Sequence, residues 1–326
     1  MSTEPQPSTL PIGTASLATF PATFEAVCSN VERVVRGKRS VVQLAVICLF
    51  AGGHLLVEDV PGVGKTVLSK ALARSTGGRF GRVQFTPDLL PSDVLGTSVW
   101  NQATGEFVFH PGPIFSNVLL ADEINRASPK TQSALLEAMA ENQATVDGTT
   151  MPLERPFMVI ATQNPLEHQG TYPLPESQLD RFLMKLSMGY PGHEAELGLL
   201  LDPQPEDLTA TLTPVVPVSS IPTLTARFDA IEVSTPVAEY LLAVARASRS
   251  SERFALGISP RALLGWLRAA KVLAAAQGRS FVTPDDAKQL AVHVLAHRVI
   301  PVGAHFNGGD ASAAVRDLLN SVPVPE

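Results

Sequence analysis

Apolar positions along the chain follow two rhythms, and each predicts a different kind of element. Phe24, Val27, Val31, Val34 and Val35 recur at three- and four-residue spacing, and after a break near Gly37 the spacing resumes at Val41, Leu44, Ile47 and Cys48. Residues so spaced share one face of a helix, so two helices are predicted before residue 50, the second ended by Gly52 and Gly53. From there short strand-like runs at 54–57, 82–85, 118–121 and 157–162 alternate with helical stretches at 65–74 and 129–141. Apolar runs of this length suit strands buried on both faces. Their alternation with helices predicts an α/β core of three layers, a parallel sheet between helices, over residues 20–190.

Two stretches interrupt that plan. Residues 98–109 turn at Thr104-Gly105 and residues 144–153 at Asp147-Gly148, which predicts two inserted β-hairpins. Trp100, Phe107 and Phe109 alternate along the first, and packing into a core is the expected fate of such a stripe. Residues 1–19, rich in Pro, Ser and Thr, predict a loose tail. Pro191, Pro203, Pro205, Pro214, Pro217 and Pro222 crowd a stretch with little amphipathic pattern, so residues 191–234 are expected to form a linker. Beyond it 236–249, 260–277 and 284–298 each read as a helix with proline in the first turn, the last two behind Ser259 and Thr283 as caps. This predicts a small all-α domain over residues 235–326.

Composition narrows the classes. A chain of 326 residues has room for two domains. Lys and Arg number 25 against 31 Asp and Glu, a net charge of −6, which argues against a basic nucleic-acid-binding coat. Two cysteines cannot frame a disulfide scaffold, so Cys28 and Cys48 are expected as buried, reduced thiols. The most apolar stretch, 41–57, is broken by Gln43, Gly52, Gly53 and His54 and is too short to span a bilayer. The first residues carry Glu4 rather than a basic, apolar leader. A cytoplasmic protein with no membrane span is the expectation.

The chemistry gathers at strand ends. Asp59, Val60, Pro61, Gly62, Val63, Gly64, Lys65, Thr66 and Val67 lie between an apolar strand and a helix, as a phosphate-binding loop must. Glycines let backbone N–H groups close around phosphate oxygens, Lys65 adds a cation toward the β and γ phosphates, and Thr66 offers a hydroxyl to Mg²⁺. Asp59 departs from the strict pattern, which asks for glycine there. The strand at 118–121 delivers Asp122 and Glu123 at its C-terminal end, where Asp122 is placed to hold Mg²⁺ and Glu123 to polarise an attacking water. Asn164 ends another strand within reach of the γ-phosphate or that water. Taken singly, a glycine-rich turn, a solvated acidic turn and a capping asparagine are the structural alternatives. His293 and His297, four apart on a helix, lack the carboxylate of a zinc motif and are read as structural.

With its G-H-L-L-V-E-D-V-P-G-V-G-K-T, L-L-A-D-E-I-N-R-A, A-T-Q-N-P, L-P-E-S-Q-L-D-R-F and S-P-R-A blocks, in that order from about Val31 to Val302, the chain resembles the MoxR family of AAA+ ATPases. The resemblance implies a P-loop NTPase core with inserted hairpins and a helical lid, with nucleotide between core and lid. It implies ATP and Mg²⁺ as cofactors, Lys65 and Thr66 as Walker A, Asp122 and Glu123 as Walker B, and Asn164 as sensor 1. Arg181 would be an arginine finger reaching a neighbouring subunit's nucleotide, Arg261 would be sensor 2, and Arg126 would have a supporting place at the interface. In this family Asp59 is an ordinary occupant of its position. A homo-oligomeric ring, of six subunits in the family pattern, a von Willebrand A domain partner, and chaperone-like maturation of, or metal insertion into, a client follow as expectations. The rival reading is a nucleotide-gated interaction switch with incidental hydrolysis. A nucleic-acid motor is a third, disfavoured by the charge.

Overall fold

The computed structural model describes residues 17–165, 170–201, 207–303 and 309–325. Of the expected tail, residues 1–16 lie outside that range. Helices α1 (Phe20–Glu32) and α2 (Arg39–Phe50) form where the apolar spacing places them, burying Phe24, Val27 and Val31 from the first and Val42, Ala45, Val46 and Leu49 from the second. Strand β1 (Leu55–Glu58) leads through the glycine loop into α3 (Lys65–Ser75), followed by β2 (Phe80–Gln84) and a short α4 (Pro91–Leu95). The first hairpin, β3 (Gly96–Asn101) with β4 (Glu106–Pro111), precedes β5 (Val118–Asp122). Helix α5 (Pro129–Glu141) is capped by the Ser128 hydroxyl, which accepts from the Thr131 amide. The second hairpin, β6 (Gln143–Val146) with β7 (Thr149–Pro152), leads into β8 (Met158–Gln163), α6 (Glu176–Leu179) and β9 (Met184–Leu186).

The main sheet has the order β2-β5-β8-β1-β9, and every pairing in it is parallel. Its central strands read as unbroken apolar runs because both faces are covered. Leu55, Val57, Val118, Leu120 and Ile160 join the core shared with α1, α2 and α3, while Leu56, Leu119, Ala121, Val159 and Ala161 join the core under α5. Register then sets the polar strand ends side by side: Gln84 pairs with Asp122, and Glu58 with Gln163. The edge strand β9 escapes the sequence pattern because its three residues are too few to show a period.

Residues 191–234, expected as a linker, carry α7 (His193–Leu201) and α8 (Ile221–Arg227) with short 3₁₀ turns between and after them. Leu212, Val216, Ile221, Leu224 and Phe228 are buried in the same core as α1 and α2, and the Val215 amide donates to the Ser75 carbonyl at 2.9 Å. The Phe228 ring meets Phe20 at 4.7 Å. This stretch is a strap bound to the core, in which proline starts or stops short turns.

The C-terminal region holds α9 (Thr235–Ser250), β10 (Phe254–Leu256), α10 (Pro260–Ala276), α11 (Pro284–Leu295), β11 (Ile300–Pro301) and α12 (Gly309–Ser321). The three expected helices are present, and α12 adds a fourth that buries Val315, Leu318 and Leu319. Trp266 of α10 is fully buried and its indole N–H donates to the Ala287 carbonyl at 2.7 Å. Thr283 and Asp286 form a reciprocal capping box on α11. Among the described residues no helix is long and apolar enough to cross a membrane.

The expected core stripe on the first hairpin is otherwise. Trp100 is 51% and Phe107 69% exposed, their rings meeting edge-on at 5.1 Å, while Phe109 is half-buried against Phe115. Among the described residues the two strands of the hairpin pair only with each other, so alternation there sorts one exposed face from another.

Candidate functional site

The loop after β1 has the shape its glycines permit. Gly62 and Gly64 adopt φ of 84° and 96°, a region costly for other residues, and a Cβ placed on Gly62 meets nothing within 4 Å. The N-terminus of the 11-residue α3 opens directly behind, so backbone N–H groups and the helix dipole favour an anion in front of the loop. Lys65 Nζ donates to the Asp59 carbonyl at 2.9 Å, which holds the ammonium across that loop. The residues fit the phosphates of a nucleotide, with Lys65 and Thr66, both half-buried, at the mouth.

Asp59, counted from sequence among the ligand-binding residues, does something else with its side chain. Its buried carboxylate accepts from the Ser187 hydroxyl at 3.1 Å and from the amides of Met188 and Gly189, and also from its neighbour Val60 N. It therefore ties the phosphate loop to the turn leaving β9. Beyond that turn a cleft of about 190 Å³ is walled by Val35, Lys38, Val63, Val67, Met188 and Leu208. Its far wall, the connection between α1 and α2, showed in the sequence only as a break near Gly37.

Asp122 and Glu123 stand at the end of β5 in a polar network. Arg82 Nη2 donates to Asp122 Oδ2 at 2.8 Å and to Gln84 Oε1 at 3.0 Å. Gln84 Nε2 and Arg126 Nη1 each donate to Glu123 Oε2 at 3.0 Å. Thr162 joins the two acids: its hydroxyl donates to Asp122 Oδ1 at 2.7 Å and accepts from the Glu123 amide at 2.8 Å. Glu123 itself has a left-handed φ of 56°, uncommon outside glycine and asparagine. Arg82, Gln84 and Thr162 had no role in the sequence reading. The signal for the first two is period-two spacing on β2, which becomes informative only once β2 is known to lie beside β5. Asn164 follows β8 and is buried at the same end of the sheet.

The two arginines are elsewhere. Arg181 lies just before β9, at the N-terminal end of the strands, and makes no side-chain hydrogen bond or ion pair among the described residues. Leu183, two residues on, donates its amide to the His54 carbonyl before β1. The first turn of α10 comes to this same end: the Ser259 hydroxyl donates to the Asp180 carboxylate at 3.3 Å while accepting from Ala262 N, which leaves exposed Arg261 close enough to bear on buried His54. Among the described residues none beyond 234 lines the 190 Å³ cleft. The first turn of α10 instead meets the opposite end of the sheet. A larger cleft of about 630 Å³ lies there too, near Gly52, Asn142, Arg155 and Leu264, away from the acidic pair. His297, read above as structural, donates Nε2–H to the Phe182 carbonyl at 2.9 Å and is buried. Cys28 and Cys48 are free and buried, and burial pushes the Cys28 thiol up to about 12.

A glycine-rich loop between strand and helix, paired acids at the end of β5 one strand further across the same sheet and a mainly helical appendage define a P-loop ATPase of AAA+ type. Residues 54–184 match the ATPase family associated with various cellular activities (AAA), and residues 246–318 match the AAA lid domain. The chain is 48% identical to the uncharacterized protein YeaC of Bacillus subtilis, over 91% of this chain and 93% of YeaC. It is 40% identical to Chaperone MoxR1 of Mycobacterium tuberculosis, over 97% of this chain and 86% of that one. A crystal structure from Cytophaga hutchinsonii superposes with a TM-score of 0.86 at 34% identity, covering 95% of this chain and 97% of its own. The chain belongs to the MoxR family of AAA+ ATPases.

Proposed function

We propose that this protein hydrolyses ATP with Mg²⁺ at sites shared between the subunits of a homo-oligomeric ring, and uses the turnover for chaperone-like remodelling of a protein client. The observation that carries the reading is the separation of parts. Lys65, Thr66, Asp122 and Glu123 gather at the C-terminal end of the strands, while Arg181 and Arg261 stand at the N-terminal end of the same sheet. One chain does not bring both sets together, whereas a neighbour can. A ring, with six subunits the family expectation, satisfies that geometry.

In this reading the 190 Å³ cleft takes the nucleoside against Val35, Val67 and Met188, and the loop amides and Lys65 bind the phosphates. Thr66 and Asp122 would hold Mg²⁺, which neutralises phosphate charge when bound. Glu123, released from Gln84 and Arg126, accepts a proton from the attacking water. Asn164 orients that water, and Arg181 and Arg261 from the adjoining copy stabilise charge developing on the transferred group. A von Willebrand A domain protein as partner, and metal insertion among the client tasks, rest on family resemblance alone.

The test is turnover against protein concentration with molar mass followed by light scattering, for wild type, Lys65→Ala, Glu123→Gln and Arg181→Ala. The reading expects turnover to rise with assembly and Glu123→Gln to bind ATP without hydrolysing it. Arg181→Ala, inactive alone, should regain activity when mixed with Lys65→Ala. A fully active monomer would instead favour a nucleotide-gated switch.

A further inference from the structure

The turn that carries Arg181 is gripped from the C-terminal domain on both sides. Arg298, three residues past the end of α11, is 6% exposed, and its Nη2 donates to the carbonyls of Asp180 at 3.2 Å and Phe182 at 2.7 Å. These two peptide groups flank Arg181. The Arg298 Nε lies 3.4 Å from Asp180 Oδ1, and His297 Nε2–H donates to the same Phe182 carbonyl. The Asp180 carboxylate in turn accepts from the Ser259 hydroxyl, two residues before Arg261.

Such an arrangement is costly unless it fixes something. Burying a guanidinium costs hydration that a single half-buried carboxylate would not return. Nη1 of Arg298 finds no hydrogen-bond partner, so the group is held for its grip on the turn rather than for full satisfaction. Space for it is made by Gly265 of α10, where a Cβ would meet Leu183 Cδ1 at 3.0 Å and Arg298 Nη1 at 3.4 Å. Arg181 and exposed Arg261 are left with no side-chain hydrogen bond or ion pair among the described residues, while the carbonyls on either side of Arg181 accept three hydrogen bonds from Arg298 and His297.

We infer that Arg298, with Asp180 as its counter-group, is a positioning residue: it clasps the Asp180–Phe182 turn to the first turn of α10, so that Arg181 and Arg261 are presented as one rigid unit to a neighbouring copy's nucleotide. This rests on the shared-site reading above and adds to it that the C-terminal domain sets the reach of both arginines. A misplacement of about 1 Å in such a group costs on the order of a hundredfold in rate, so the clasp governs turnover without touching nucleotide.

Two variants test it. Arg298→Lys keeps the charge but offers one nitrogen in place of the planar fork, so it cannot hold the two carbonyls through one nitrogen and face the Asp180 carboxylate with another; Ser259→Ala removes the hydroxyl from Asp180 and leaves Arg298 in place. Each is assayed for ATP affinity by a fluorescent analogue, ring mass by light scattering, amide exchange at 180–183, and turnover alone and mixed with Lys65→Ala, with Arg181→Ala plus Lys65→Ala as the control pair. The clasp expects ATP affinity and ring mass to match wild type, faster exchange at 180–183, and kcat lowered about tenfold or more for Arg298→Lys with KM little changed. Mixing should restore turnover, because the Lys65→Ala subunit supplies an intact pair of arginines. If the control pair recovers and the Arg298→Lys pair does not, the clasp is wrong while the shared site stands. If the control pair itself fails to recover, the shared site is wrong. Wild-type kcat in both variants also overturns the clasp.

Discussion

Arg82 Nη2 lies 2.8 Å from Asp122 Oδ2, so the carboxylate proposed to hold Mg²⁺ already faces a side-chain cation from the adjoining strand. The same guanidinium nitrogen donates to Gln84 Oε1 and thereby turns the Gln84 amide so that its N–H₂ faces Glu123. A divalent ion approaching Asp122 must compete with that ion pair or share the carboxylate. Arg82→Ala is therefore expected to lower the Mg²⁺ concentration that half-saturates ATP turnover, by about two- to fivefold, the worth of one partly exposed charge pair. Turnover at fixed ATP against Mg²⁺ measures it; an unchanged or raised midpoint would show that Arg82 does not compete with the ion.

Asp59 supplies the second expectation. Its carboxylate accepts from the Ser187 hydroxyl and the Met188 and Gly189 amides, which no other acceptor near the loop replaces. Asp59→Ala leaves those donors stranded in a buried place and should cost about 3 kcal/mol of stability, with Asp59→Asn costing less because one oxygen remains. ATP affinity should fall in step, since the same carboxylate aligns the loop with the Met188 wall of the cleft. Denaturant unfolding and nucleotide titration of both variants check the pair of effects; a stable Asp59→Ala with weakened ATP binding would return Asp59 to a ligand-contacting role.

How far the sequence reached can be seen by comparing Asp122 with Arg82. Asp122 follows a run of four apolar residues, and a strand buried on both faces must deliver its next polar residues at an end, so position in sequence implied position in space. Arg82 and Gln84 sit on a half-exposed strand with no such run; their meaning depends on β2 lying beside β5, and strand order is a long-range fact that local pattern does not carry. The same limit hid the lid's placement. S-P-R-A marks a helix start well enough, but which end of the sheet that helix crosses is decided by Ser259, Asp180 and Arg298, at sequence separations of 79 and 118 residues. The strap at 191–234 is illegible for a different reason: its apolar residues are spread over short turns, so no period appears although Phe228 and Leu224 are buried.

The two tryptophans separate a decorating hairpin from the core. Trp266 is fully buried while Trp100 is half exposed on a hairpin whose main ring contact is Phe107. Trp266→Ala should destabilise by about 3–5 kcal/mol, the usual cost of emptying a large buried site. Trp100→Ala should cost under about 1 kcal/mol. The midpoints of urea unfolding decide it, and a large loss at Trp100 would mean that the hairpin packs against the rest of the chain in solution.

Stability should fall on mild acidification through buried histidines. His54 Nε2–H donates to the Met139 carbonyl and its Nδ1 accepts from the Val159 amide, which fixes the neutral ring in one tautomer beneath the sheet. Burial pushes its pKa down to about 4, and burial with the neighbouring Arg298 charge drives His297 well below the ordinary histidine range. Protonating His54 would put a hydrogen on Nδ1 against the Val159 N–H. Between about pH 6.5 and 4 the unfolded chain binds these protons and the folded chain does not, so stability is full above about pH 6.5 and declines as pH falls. For His54 the loss approaches about 3 kcal/mol at the lower end of that window. His54→Asn is expected to be less stable than wild type at pH 7.5, because the ring and its fit are lost, yet to show a shallower decline of unfolding free energy between pH 6.5 and 4.5. Denaturant melts across that range give the slope directly. Equal slopes for the two proteins would mean that His54 takes up no extra proton on unfolding, which is incompatible with the neutral ring held between Met139 and Val159.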